Sequence, residues 1–229
     1  MDEASLSWYQ LGEDIDGESE GDQAGWSVSL SADGESVAVG SIFNDDNGAY
    51  SGHVRVFKTE LWKQQGQSIA GNSSGDWSGS SVSLSSDGRT LAIGSPGNNT
   101  FPSDVRPGYA NVYRRASDGG EWELEQTILG EAEGDLLGQS VSLSGDGKTV
   151  AVGAPGQHWG RNDRPGYVKV YHMNDGVWRQ LGQVITGEAL GNQFGISVSL
   201  SSNGKTLAVG ANMNDNKNGQ WSWLVEWFL

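Results

Sequence analysis

The sequence predicts an all-β chain, a β-propeller of four four-stranded blades, and three observations carry that expectation. A fourteen-residue string recurs four times, as SVSLSADGESVAVG at 27–40, SVSLSSDGRTLAIG at 81–94, SVSLSGDGKTVAVG at 140–153 and SVSLSSNGKTLAVG at 197–210. The starts lie 54, 59 and 57 residues apart, close to the spacing at which propellers and other repeat arrays copy their unit. No segment sustains an apolar period of 3.6, whereas alternation of apolar and small polar residues is frequent.

The repeated string reads as a β-hairpin. Val28 and Leu30 alternate with Ser27, Ser29 and Ser31, and Val37 and Val39 alternate with Ser36 and Ala38, the period-2 pattern of strands. Asp33-Gly34 lies between the two runs and recurs as Asp87-Gly88, Asp146-Gly147 and Asn203-Gly204. The Asx side chain shapes a turn, and the glycine takes the positive φ that a type I turn with a bulge requires. One face of the hairpin is bulky and branched, the other is Ser and Ala. Stacked sheets need that asymmetry, because a small face lets the neighbour's Val and Leu approach to about 10 Å.

The flanks supply two more strands per unit. A tryptophan opens one of them, in the runs Trp8 to Ile15, Trp62 to Ile69, Trp122 to Ile128 and Trp178 to Ile185. Their regular spacing makes these tryptophans packing residues. Glycine opens the other, in Gly52-His53-Val54, Gly108-Tyr109-Ala110 and Gly166-Tyr167-Val168, with a degenerate fourth version at Gly219-Gln220-Trp221. Four strands per unit is the content of a propeller blade. The whole chain, 1–229, reads as one domain with units at approximately 16–69, 70–128, 129–185 and 186–229 plus 1–15. If the segment 8–15 pairs beside 221–228, the terminal strands close the ring and remove its exposed edges. The alternatives are part of a seven- or eight-bladed ring, or half of a ring completed by a second copy.

Composition narrows the partners. The net charge is −15 from 14 Lys and Arg against 29 Asp and Glu, so nucleic acid is a poor partner, since phosphate contacts need clustered cations. There is no cysteine, hence no disulfide framework. No apolar run approaches the roughly 20 residues of a membrane-spanning helix, and Met1-Asp2-Glu3 begins an acidic segment rather than a signal peptide.

Phe194-Gly195 before the fourth hairpin and Gly153-Ala154-Pro155 closing the third resemble the two signatures of FG-GAP repeats, the units of integrin α-subunit propellers. The other units carry the variants Ala24-Gly25, Ser78-Gly79 and Leu137-Gly138, and Gly40-Ser41, Gly94-Ser95-Pro96 and Gly210-Ala211. The resemblance spans essentially the whole chain and implies a propeller with a binding or adhesive role. Family units often carry a calcium loop of several Asp and Asn between the two signatures. Here that interval is a tight hairpin with one Asx, which cannot supply six to eight oxygen ligands, so that calcium site is not carried over. The family ring usually holds seven units, where this chain has four.

In a four-stranded meander, two sets of loops fall on one face. They are 17–25, 71–79, 130–138 and 187–195, and the variable loops 41–51, 95–107, 154–165 and 211–218. Recognition tends to live on such loops above a rigid scaffold. On that face Asp45, Asp46 and Asn47, with Asp215, offer clustered oxygens for calcium, although such runs also make plain turns. His158 and Trp159, with Arg106 and Arg164 from two RPGY strings, offer a pocket for a sugar or peptide, and Trp26 and Trp77 offer stacking surfaces.

Enzyme motifs are missing: His53, His158 and His172 make no zinc spacing, and no Gly-x-Ser-x-Gly elbow opens a helix. The sequence therefore points to a non-catalytic binding or adhesion module, secreted or at the cell surface. It would recognise a protein or carbohydrate ligand through the loop-rich face, without nucleic acid, membrane insertion or an obligatory cofactor, calcium being the one candidate. A monomer is expected, with a dimer as the alternative. The competing readings are a structural repeat segment of a larger surface protein and a propeller glycoside hydrolase or lyase.

Overall fold

The computed structural model describes residues 8–10, 12–59, 62–97, 106–156, 164–215 and 221–228, the side chains of 213–215 and 221–228 excepted. Four antiparallel sheets follow one another along the chain. The first holds β1 (Ala24–Leu30), β2 (Ser36–Ser41) and β3 (His53–Lys58), with an outer strand in two pieces, β4 (Lys63–Gln64) and β5 (Ile69–Ala70). The second holds β6 (Ser81–Leu84), β7 (Thr90–Ser95), β8 (Tyr109–Arg114) and β9 (Glu123–Leu129). The third holds β10 (Ser140–Leu143), β11 (Thr149–Ala154), β12 (Tyr167–Asn174), β13 (Val177–Gln180) and β14 (Ile185–Thr186). The fourth is β15 (Ser197–Leu200), β16 (Leu207–Asp215) and β17 (Trp221–Phe228). The order is a meander within each sheet, as the repeat predicts.

Local chemistry fixes each turn and break. In the first hairpin Gly34 takes φ 73° and donates its N–H to the Ser31 carbonyl, while Asp33 accepts from the Glu35 N–H. Outer strands break where the run Trp-x-x-x-Gly puts a left-handed glycine in mid-strand, Gly66 at φ 73° and Gly182 at φ 71°. Glutamine stands at that place in the second unit, and β9 runs through with a one-residue bulge at Glu125. Glycine's freedom to adopt positive φ therefore decides whether this strand is one piece or two.

Neighbouring blades stack along their inner strands. β1 packs on β6, β6 on β10 and β10 on β15. The Ser27 hydroxyl donates to the Gly79 carbonyl at 2.6 Å, Ser81 to Gly138 at 2.8 Å and Ser140 to Gly195 at 2.8 Å. Ser29 accepts the Leu84 N–H, Ser83 that of Leu143 and Ser142 that of Leu200. Gly40, Gly94 and Gly153 lie directly against the carbonyls of Gly79, Gly138 and Gly195, leaving no room for a Cβ. The core fills the remaining space between blades. Val141 and Leu143 cover Ala92, Ala110 and Val112, and Phe194 joins Val168, Val170 and Val209.

Two expectations need correction. The segment 8–15 does not close the ring: among the described residues it forms no strand, the fourth sheet has three strands, and Trp8 and Tyr9 are fully exposed. No packing comparable to that between successive blades joins β15 to β1. The wedge between blades is set by how closely Ser and Gly faces meet, and three such wedges leave an open arc. The fourth Gly-started strand is also misplaced by the sequence pattern, its first residues lying outside the described set. Register puts Ala211 opposite Leu224 and Gly210 opposite Val225, just as Ser41 faces His53 and Gly40 faces Val54. Leu224, not Gln220, therefore holds the place of His53, Tyr109 and Tyr167. A longer β16–β17 hairpin with a shifted register absorbs the difference.

Gly153→Ala should destabilise the chain by about 1–3 kcal/mol, since the added methyl meets a backbone carbonyl that cannot rotate away; thermal unfolding followed by circular dichroism reads this as a lower Tm. Hairpin turns add an acid-sensitive component. Burial works to raise the Asp146 carboxyl, but the Ser144 hydroxyl, the Lys148 N–H and the nearby Lys148 and His172 charges hold it below the usual 3.8. A carboxyl depressed in the folded state contributes fully above its unfolded pKa, and that contribution is lost as pH falls through the folded value. Asp146→Asn, which copies Asn203 of the fourth turn, should flatten the fall of Tm between roughly pH 5 and pH 2.

Candidate functional site

Both loop families lie together on one face, as the meander requires, and a buried aspartate ties them. Asp76 accepts from Arg106 Nη1 at 2.6 Å, Tyr109 Oη at 2.8 Å and the Ser73 N–H. Asp135 accepts from Arg164 Nη1 at 2.8 Å, Tyr167 Oη at 2.8 Å and the N–H groups of Glu131 and Ala132. Burial, reinforced by the aspartate charge, pushes the Tyr167 phenol far above its ordinary range and keeps it a neutral donor. The residue after each aspartate, Trp77 at φ 53° and Leu136 at φ 57°, sits in the left-handed region. Gln23 at φ 55° and Gln193 at φ 53° stand at the same place in units one and four, so this unfavourable backbone belongs to the repeat and is held by its surroundings with or without the Arg–Tyr–Asp contacts.

The first unit departs from this scheme. His53 stands where Tyr109 and Tyr167 stand, and Tyr50 where Arg106 and Arg164 stand. Asp22 is held instead by Asn44 Nδ2 at 3.0 Å and the Ser19 N–H. The fully buried His53 ring then faces two carboxylates, Asp46 at 3.3 Å and Glu18 at 3.7 Å from Nδ1. Arg55 Nη1 lies 3.6 Å from Glu18, and its other amino group donates to the Asp16 carbonyl. Lys169 makes the matching pair with Glu131 and Leu129 in the third unit, so Arg55–Glu18 belongs to the repeat while His53–Asp46 is peculiar to the first blade. Next to this cluster the 42–52 loop carries aromatics: Phe43 and Tyr50 at 5.0 Å, and Phe43 and Trp77 edge-on at 5.8 Å. Tyr50 is exposed and Trp77 half-buried, with its indole N–H buried and without a partner.

The sequence-derived candidates fall in several places. Asp46 joins Glu18 and His53, whose ligand-type atoms lie within 4.8 Å of one another. Asp45 is engaged in a turn, accepting the Tyr50 N–H at 2.7 Å, and Asn47 donates to the Gly71 and Asn72 carbonyls. The three consecutive residues therefore do not converge on one point, and Asp215 ends β16 opposite Trp221. Arg106 and Arg164 are members of the buried-aspartate staples. Trp77 belongs to the aromatic group, whereas Trp26 stands exposed on β1. His158 and Trp159 lie outside the described residues. The pattern reading missed Asp22, Asp76, Asp135, Glu18, His53, Phe43 and Tyr50. The signal was present: Asp, Arg and Tyr recur together in units two and three, and unit one changes Arg and Tyr at once.

No family model matches the chain, and no curated protein matches it. Solved structures do. Hydrazine synthase of Kuenenia stuttgartiensis aligns over 95% of this chain and 49% of its own, at 16% identity and a TM-score of 0.51. The WD40 repeats of RRP9 align over 87% and 49%, at 11% identity and a TM-score of 0.52. The Dos1 propeller aligns over 80% and 38%, at 12% identity and a TM-score of 0.50. These likenesses show the β-propeller fold and bear on nothing finer. The chain spans about half the length of the first two and less of the third. No helix among the described residues is long and apolar enough to cross a membrane.

Asp135→Asn should lower stability by about 1–3 kcal/mol, since the buried carboxylate gathers four donors. Tyr167→Phe, which removes one of them, should cost about 0.5–1.5 kcal/mol. Urea unfolding of the two variants checks the order.

Proposed function

We propose that this chain is a non-catalytic recognition module of the FG-GAP type, secreted or cell-surface, that binds a protein or carbohydrate ligand through the loop-rich face of its first blade. One observation carries the reading. The first unit gives up the Arg–Tyr–Asp staple that rigidifies the next two and presents an exposed tyrosine beside two exposed carboxylates. The staple in units two and three ties their loops to the scaffold, and its replacement in unit one leaves Tyr50 exposed for contact. Tyrosine suits such a place because it offers a large contact area and a polar tip at small entropic cost. The carboxylates of Glu18 and Asp46 are already paired with Arg55 and His53, which suits hydrogen-bond acceptance from a ligand better than general acid and base work. Propeller neighbours such as the WD40 repeats support a repeat module that interacts through its surface.

A glycan array together with a cell-surface binding assay tests this. The wild-type chain should bind in at least one format. Tyr50→Ala should weaken that binding by tenfold or more with Tm unchanged. Absence of binding in both formats, or full binding by the variant, would count against the reading.

A further inference from the structure

The two ends of the arc are complementary halves of an interface that the chain already makes three times. On the leading face β1 exposes Trp26, Val28 at 64% and Leu30 at 58%, whereas the matching Val141 and Leu143 of the third blade are 9% and 7% exposed. On the trailing face β15 exposes Ser197 and Ser199, the counterparts of serines that elsewhere donate to a glycine carbonyl and accept a leucine N–H from the next blade. Gly25, counterpart of Gly79, Gly138 and Gly195, has nothing within 4 Å of where a Cβ would stand, and at Gly210 a Cβ would meet only Ser197 of its own hairpin where at Gly40, Gly94 and Gly153 it would also meet the next blade. The turns run the same way: Ala32 N–H donates to the Ser86 carbonyl, Ser86 to Gly145 and Gly145 to Ser202. There the series stops.

The N-terminal segment shows where the missing neighbour sits. The Trp62 indole lies on Gly12 as the Trp122 indole lies on Gly66, and Arg55 holds the Asp16 carbonyl as Lys169 holds that of Leu129. Leu129 ends the outer strand of the blade preceding Lys169. Gly12–Asp16 therefore occupies the place of an outer strand belonging to a blade that precedes the first. Trp8, whose counterparts Trp122 and Trp178 are buried, is fully exposed, and Gly182, counterpart of Gly12 and Gly66, has nothing upon it. The fourth sheet meanwhile ends on β17, with β16 its one partner among the described residues.

We propose that two copies of this chain join end to end into an eight-bladed ring, each lending its N-terminal segment as the outer strand of the other's fourth blade. The fourth blade of one copy takes the first blade of the other by the contacts that join the second to the first. Ser197 donates to the partner's Gly25 carbonyl, Ser199 accepts the partner's Leu30 N–H, and Val28 and Leu30 cover Ala208. Register follows from the other blades, where Gly40, Val54 and Ile69 align across the sheet, as do Gly94, Ala110 and Ile128, and Gly153, Val168 and Ile185. Gly210 faces Val225, so Ile15 of one copy stands opposite Val225 of the other, and Trp8 falls on Gly182. A second copy is favoured as occupant because its leading face carries the one Val-Ser-Leu strand left uncovered, in the sequence context that the trailing face accepts three times.

Light scattering coupled to size-exclusion chromatography should give twice the 24.4 kDa chain mass. The double variant Val28→Asp with Leu30→Asp should give the single mass with an unchanged far-ultraviolet circular dichroism spectrum. Because the chain has no cysteine, Ile15→Cys with Val225→Cys tests register independently: a non-reducing gel should show the doubled band. A single-chain mass for the wild type at all concentrations, as expected if further blades or nothing at all completes the ring, overturns the proposal. So does a disulfide that closes within one chain, or a doubled mass that survives the aspartates.

Discussion

Everything in this fold depends on how closely one blade's inner edge can approach the next. Gly40, Gly94 and Gly153 sit on the carbonyls of Gly79, Gly138 and Gly195, and a serine hydroxyl from the same hairpin closes each contact with a hydrogen bond. A buried carbonyl between stacked sheets would otherwise be left without a partner, at a cost of about 1–3 kcal/mol. Serine is small enough to leave the space and polar enough to satisfy the carbonyl. That double requirement explains why Ser-Val-Ser-Leu and the closing Gly are the least varied parts of the repeat. Valine and leucine on the opposite face then fall into the gap the serines leave. Inner strands are thus fixed by polar chemistry first and by apolar burial second.

That constraint was legible in the sequence because it repeats. Strand content, the Asx-Gly turns, the meander and the common face of the loops all follow from four copies of one pattern, and the structure has them. Closure was not legible, because the angle between stacked sheets is a property of packed surfaces and no residue pattern records it. The placement of 221–228 failed for a related reason. Glycine at 219 imitates the start of a third strand, while the ladder from Gly210 to Val225 sets the register four residues later than the glycine suggests. At the loop face, RPGY reads first as turn chemistry, and the buried aspartates that its Arg and Tyr serve are far away in sequence. Asp76 and Arg106 are thirty residues apart. Only a comparison of units with each other, rather than of residues with their neighbours, reveals the staple.

The same comparison separates scaffold from surface. In units two and three a buried carboxylate gathers a guanidinium, a phenol and backbone N–H groups, which ties the two loop families together. In unit one the aspartate is satisfied by the short side chain of Asn44, and the positions released by Arg and Tyr become Tyr50 and His53. Two substitutions thereby turn a closed polar network into an imidazole with carboxylates above it and an aromatic edge beside it. The Arg55 charge remains, since its contact with Asp16 serves the stacking of blades. A cation at Arg55 and an imidazole at His53 beneath two exposed carboxylates is an arrangement that holds acceptors in place.

Blade stacking and loop recognition then meet in the symmetry of the arc. A leading face of Val and Leu and a trailing face of Ser and Gly cannot pair with themselves, so a twofold contact through one face alone is unavailable. End-to-end joining of two arcs satisfies both faces at once and returns the ring to its start, which is how heterologous faces close rather than grow into a filament. The axis of that ring runs along its channel, which puts the loops of both first blades on the same face of the ring, half a turn apart. A ligand long enough to span the ring, or one with two epitopes, would then meet two Tyr50 loops, and a weak contact at each would gain from the effective concentration of the other. The geometry that completes the apolar stacking is therefore also the geometry that makes a small, shallow recognition surface sufficient.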